Sequence, residues 1–139
     1  ELLVGATKYG LAVDIWSAGC IFAGFLCGKP IMFGRNEVRV VRLAPASYHI
    51  FYLPEHLHKI FELCGSPDET IWPGVSRMPW YNNFKPARPM RRCLREVLLH
   101  RLDPNALDLL DRMLTLDPSK RISAKDALDA EYFRTKPLP

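Results

Sequence analysis

Asp14-Ile15-Trp16-Ser17-Ala18-Gly19-Cys20, continued by Ile21-Phe22-Ala23-Gly24-Phe25-Leu26, is the stretch on which the fold turns. An aspartate suited to an N-cap opens it, apolar residues fall on nearly every face of a 3.6-residue period, and Gly28-Lys29-Pro30 closes it. The spacing predicts a helix over Asp14 to Leu26, enclosed on most sides. Its weakly charged core is well short of the roughly 20 apolar residues a membrane helix needs, so no membrane association is expected.

Further along the chain, helical signals recur and strand signals are scarce. Leu57, Ile60, Phe61 and Cys64 follow three-and-four spacing over Glu55 to Leu63, before Gly65-Ser66-Pro67 ends the run. Asp103 offers an N-cap with Pro104 at the first helical position, and Ala106, Leu109, Leu110, Met113 and Leu114 form an apolar stripe. Ser123 and Asp126 have capping-box-like spacing ahead of Ala127, Leu128 and Ala130, predicting one last helix to about Tyr132. Only residues 38 to 53 carry any strand pattern, and there is no internal repeat. The fold class is mainly α.

Residues 65 to 93 hold seven prolines or glycines together with Trp72, Trp80, Tyr81 and Phe84. Aromatics among turn residues suit an irregular but packed segment better than a flexible linker. The same region begins a basic stretch, Lys85, Arg88, Arg91, Arg92, Arg95 and Arg101, from which much of the formal charge of +4 derives. Such a stretch reads first as a solvated, self-repelling face and second as an attractor of phosphate; direct nucleic-acid binding is not expected.

The four cysteines, Cys20, Cys27, Cys64 and Cys93, form no Cys-x-x-Cys pair and follow no signal peptide. They read as reduced intracellular thiols rather than a disulfide framework or zinc ribbon. His56 and His58 are two apart, which puts them on different faces of a helix, so no metal site is expected.

Three motifs in register carry a resemblance to eukaryotic serine/threonine protein kinases. Glu1-Leu2-Leu3 with Gly5 and Tyr9 is similar to the end of that family's activation segment. Asp14-Ile15-Trp16-Ser17-Ala18-Gly19-Cys20 matches Asp-x-Trp-Ser-x-Gly-Cys at the start of its central helix. Leu116-Asp117-Pro118-Ser119-Lys120-Arg121-Ile122-Ser123-Ala124 matches Leu-Asp-Pro-x-x-Arg-x-Ser/Thr-Ala before its last helix. Gly28-Lys29-Pro30-Ile31, Phe61 to Pro67 and the stretch Trp72 to Asn82 narrow the resemblance to cyclin-dependent kinases. Asp126 to Phe133, followed by Pro137-Leu138-Pro139, resembles the plant C-type, transcription-associated branch.

The resemblance implies part of the C-terminal, large lobe of a kinase-like fold, without the N-lobe, catalytic loop or most of the activation segment. It implies an ion pair between Glu1 and Arg121, a hold by Asp14 on backbone N–H groups of the catalytic loop, and packing by Trp16 and Gly19 in the central helix. For the parent family it also implies ATP and Mg2+, protein substrates, a cyclin partner and a nuclear setting. The 139 residues contain no Gly-x-Gly-x-x-Gly, no His-Arg-Asp and no Asp-Phe-Gly. These parts and the cyclin-binding helix would lie upstream of Glu1, so no catalytic, cofactor or metal residue is assigned, and the chain alone is expected to be an inactive fragment without a productive cyclin complex.

Two departures from the family stand out. Gly24 occupies a helix position where the family usually carries Glu. Residues 38 to 54 form an insertion of about 16 to 17 residues in a connection that is normally short. The insertion has no acidic residue and ends in Ser47-Tyr48-His49-Ile50-Phe51-Tyr52-Leu53-Pro54. It reads as a retained intron translated in frame, with a genuine surface loop as the alternative. Residues 1–139 are therefore one partial kinase domain interrupted at 38–54. The competing functional class is a non-catalytic interaction module that holds a partner through Trp72, Trp80, Tyr81, Arg91, Arg92 and Arg95.

Overall fold

The computed structural model of the chain describes residues 11–29, 57–79 and 81–135. Among these residues every regular element is helical. They fall into two compact units, one of residues 57–79 and 81–93, the other of residues 11–29 and 94–135.

The second unit is built on two helices, α1 (Leu11–Cys27) and α5 (Pro104–Met113), which pack against each other. Helix α5 forms where the sequence says it should. The Asp103 carboxylate accepts from the N–H groups of Asn105 (3.0 Å) and Ala106 (3.3 Å), and Pro104 fills a first-turn position that needs no donor. Its stripe of Ala106, Leu107, Leu109, Leu110 and Met113 is buried, and Leu114 follows it into the core.

Helix α1 differs from expectation in two ways. It starts at Leu11, so Asp14 lies within its first turn instead of capping it. There the exposed carboxylate still faces the positive end of the helix dipole. Nor is α1 enclosed: only Gly19 and Ala23 are buried, while Leu11, Ile21 and Phe25 are 87%, 61% and 82% exposed. The buried side meets α5 so closely that a Cβ on Gly19 would stand 3.0 Å from Met113 Cβ and Leu114 Cδ2. At Gly24 the nearest atom would be Lys29 O at 4.0 Å.

The short helix α4 (Leu94–Leu98) also packs on α5, through the fully buried Leu94 and the buried Leu98. The single last helix expected from the sequence is two. Ser123 caps α6 (Ala124–Leu128) by accepting from Asp126 N–H at 3.1 Å, and the chain then breaks before α7 (Glu131–Arg134). At the break the Asp129 N–H is shared between the carbonyls of Lys125 and Asp126, and Ala130 turns extended, at φ −65° and ψ 148°. Leu128, at the end of α6, is 71% exposed. The break brings Ala127 and Ala130 together in a cluster with Leu109, Met113 and Ile122, covered by Ile15, Phe22 and Tyr132. Phe22 and Tyr132 meet edge to face, 5.2 Å between ring centroids.

In the first unit, residues 57–64 are helical and form α2, with Leu57, Ile60, Phe61, Leu63 and Cys64 buried. Gly65 stops α2 at φ +81°, where any Cβ would lie 2.8 Å from Arg92 N. Chain segments 62–66 and 90–93 run side by side from there. Ser66 N–H donates to Met90 O (2.9 Å), Met90 N–H to Ser66 Oγ (2.8 Å), and Cys93 N–H to Leu63 O (3.1 Å). Between these segments lie a 3-10 turn, Val75–Arg77, and the one-turn helix α3 (Tyr81–Phe84) packed near it. Among the described residues of this segment Trp72 and Val75 are buried, in keeping with the packing its aromatic content suggests.

Candidate functional site

Arg121 is the most constrained charged residue among those described. It follows Asp117-Pro118-Ser119, a turn built by the Asp117 carboxylate, which accepts from Ser119 N–H (2.9 Å) and Ser119 Oγ (2.8 Å). The Asp117 carbonyl accepts from the N–H groups of Lys120 and Arg121, each at 3.1 Å. This tight turn points the Arg121 side chain inward, where the residue is 7% exposed.

All three guanidinium nitrogens donate to backbone carbonyls. Nε donates to Thr115 O (2.8 Å), one terminal nitrogen to Leu116 O (3.0 Å) and the other to Ala12 O in α1 (2.7 Å). Its carbon lies 5.0 Å from the centroid of the Trp16 ring, giving cation–π contact on one face. A flat group with donors on three edges can bridge a loop and a helix in this way; an ammonium cannot. Arg121, Trp16 and Gly19 therefore lie along one face of α1 and bind it to the loop before α6 and to α5. Glu1, the expected ionic partner of Arg121, lies outside the described residues. The carbonyl set and the role of Asp117 are what sequence reasoning missed, although Asp-Pro-Ser is itself a turn signal.

Cys20 sits on the same helix. Burial pushes its thiol up to about 11 from an ordinary 9.0, and the nearby positive charge of Arg121 offsets this only in part. A protonated thiol of this kind is a packing group, not a nucleophile.

The residues expected to offer a partner surface are distributed differently. Trp72 is buried at 6% exposure and cannot serve as an exposed anchor. Tyr81 is half-buried and donates its hydroxyl to Pro67 O at 3.1 Å, with Lys85 Nζ 6.0 Å from its ring centroid. Arg92 donates to Cys64 O at 3.4 Å, Arg91 is exposed, and Trp80 lies outside the described residues. Arg95 belongs to the other unit and is engaged there: Nε meets Asp111 Oδ2 and a terminal nitrogen meets Asp108 Oδ1, both at 2.9 Å. The hydrogen bond to Asp108 above all holds this guanidinium more firmly charged than usual. Arg112 approaches the other Asp108 oxygen at 3.8 Å.

Among the described residues no group of three or more His, Cys, Asp or Glu is placed to hold a metal ion, and no helix is long and apolar enough to cross a membrane. His58 faces Glu62 one helical turn on, at 3.0 Å. The cluster around Arg121 can fix one helix against another, but it supplies neither a base for a hydroxyl nor a cradle for phosphate.

A helix whose first turn is clamped by a buried arginine, in a mainly helical chain carrying the three motifs in order, defines part of the large lobe of a protein kinase. The family profile for the protein kinase domain matches residues 1–133, and the chain belongs to that family. Within it, the chain is 63% identical over 139 residues to cyclin-dependent kinase C-2 of Oryza sativa subsp. japonica and 61% identical over 139 residues to cyclin-dependent kinase C-1 of Arabidopsis thaliana. Both matches cover 100% of this chain and 24% of the relative. Cyclin-dependent kinase C-3 of Oryza sativa subsp. japonica is 52% identical over 136 residues, covering 98% of this chain and 37% of the relative. The chain thus spans about a quarter of the length of the first two relatives.

Proposed function

We propose that this chain supplies part of the helical floor of a cyclin-dependent-type serine/threonine kinase, and that these 139 residues alone do not transfer phosphate. The observation that carries the reading is similarity over the whole chain to plant cyclin-dependent kinases C. By that likeness the parent activity is transfer of the ATP γ-phosphoryl group to serine or threonine of nuclear proteins, with a cyclin as partner. ATP and Mg2+ do not fit the residues present. The 139 residues contain no glycine-rich phosphate loop, no catalytic His-Arg-Asp and no Asp-Phe-Gly to hold either group.

In the parent enzyme the exposed carboxylate of Asp14 would receive backbone N–H groups of the catalytic loop, and Arg121 would keep α1 where that hold works. Residues 38–54 are proposed as an insertion that takes no part in this. Sequencing the transcript across them distinguishes a retained intron from a coded loop. The interaction-module reading loses support from the burial of Trp72 and the engagement of Arg95 by aspartates of its own unit.

Phosphate transfer from labelled ATP to a serine-containing peptide tests the main reading, with the chain alone and with the coding sequence extended upstream of Glu1. No turnover from the first and turnover from the second is the expected result. Turnover by the isolated 139 residues would overturn it.

A further inference from the structure

Outside the Arg121 cluster, one exposed loop is closed by a single side chain. Glu69 follows Asp68, whose Oδ1 accepts from the N–H groups of Thr70 (2.8 Å) and Ile71 (2.9 Å) and starts a turn. The Glu69 carboxylate then reaches forward across that turn. Its Oε2 accepts from Gly74 N–H at 2.7 Å, and its Oε1 accepts both Ser76 N–H, at 3.0 Å, and the Ser76 hydroxyl. Three donors on one carboxylate tie residue 69 to residue 76, and Trp72 and Val75, the buried residues of the segment, lie between the tied points. Gly74, at φ +89°, supplies the bend that lets both N–H groups face the same carboxylate.

Ser76 is exposed, so its hydroxyl is reachable from solvent while also being one of the three ties. We propose that Ser76 is a modification site and that the Glu69 clasp is a phosphorylation-sensitive latch. A serine/threonine kinase with ATP as donor would form the Oγ–P bond, break the bond from that phosphorus to the ADP oxygen, and release the hydroxyl proton. The product has no hydroxyl hydrogen to donate and sets a charge of about −1.5 to −2 against a carboxylate, which disrupts by like-charge repulsion. The latch opens at residues 74–76 and the turn that buries Trp72 loosens.

The latch rests on this loop alone and is independent of whether the parent is an active kinase. The test is amide hydrogen exchange on the longest form of the protein its transcript encodes, with phosphoserine incorporated at position 76. Exchange at Gly74 and Ser76 is expected to rise about tenfold or more, with the Leu114 amide, which bonds Leu110 O in the other unit, unchanged. Ser76→Ala, which keeps both N–H ties, should give a smaller rise. In a Glu69→Gln background phosphoserine should add little, because the repelling charge is gone. Unchanged or slower exchange with phosphoserine would overturn the latch. So would an equal rise with and without Glu69, because it would trace the opening to the phosphate alone.

Discussion

Gly19 and Gly24 are five residues apart on one helix and face opposite tests. At Gly19 a methyl group would press on Met113 Cβ and Leu114 at 3.0 Å, so Gly19→Ala should destabilise by about 1–3 kcal/mol despite better helix propensity. At Gly24 there is room, and Gly24→Ala should stabilise by about 0.5–1 kcal/mol. Denaturant midpoints of the two variants check both signs. Arg121→Lys should cost about 3 kcal/mol or more in the same measurement, since a lysine cannot satisfy the carbonyls of Ala12, Thr115 and Leu116 together. Cys20 gives a pH signature. Its folded pKa is raised, so its contribution is fully present below pH 9.0 and is lost as pH rises through about 11. Stability of the native chain should therefore fall more steeply over that window than stability of Cys20→Ala. Thiol alkylation near pH 8 should leave Cys20 among the slowest of the cysteines to react.

At the scale of elements, local signals decided what could be read in advance. Helix α5 was legible because its cap, its first-turn proline and its apolar stripe all agree, and Asp103→Ala should cost about 1 kcal/mol by thermal or denaturant melting. Its neighbour α6 was only half legible. Ser123 marks its start, but periodicity gave no sign that the backbone turns extended at Ala130, because that turn is favoured by packing of Ala130 and Tyr132 and not by a glycine or proline. Leu128→Ser should accordingly change stability by no more than about 0.5 kcal/mol, as expected of a surface position. The Arg121 cluster was legible as a motif but not as a mechanism: the motif names the arginine, whereas the carbonyls of Ala12, Thr115 and Leu116 that accept from it belong to the main chain, which no residue type announces. Burial of Trp72 and pairing of Arg95 were hidden for a similar reason, since both depend on partners that sequence spacing does not bring together.

At the scale of the whole chain, Leu11, Ile21 and Phe25 recur along one exposed side of α1, a row of large apolar side chains open to solvent. The isolated 139 residues should be poorly soluble, and Ile21→Glu with Phe25→Gln should raise the soluble yield in a sedimentation assay. A soluble, cooperatively unfolding monomer from the unmodified chain would count against this view. The close pairing of segments 62–66 and 90–93 carries a different consequence. Because Ser66 and Met90 exchange hydrogen bonds at 2.9 and 2.8 Å, everything between them leaves and re-enters the fold at nearly one place. A loop closed at its neck can lengthen at a cost that grows only with the logarithm of its length, about 0.6 kcal/mol per doubling. The exposed positions between residues 67 and 89 can therefore change in sequence or length while the neck and the buried Trp72 and Val75 stay as they are.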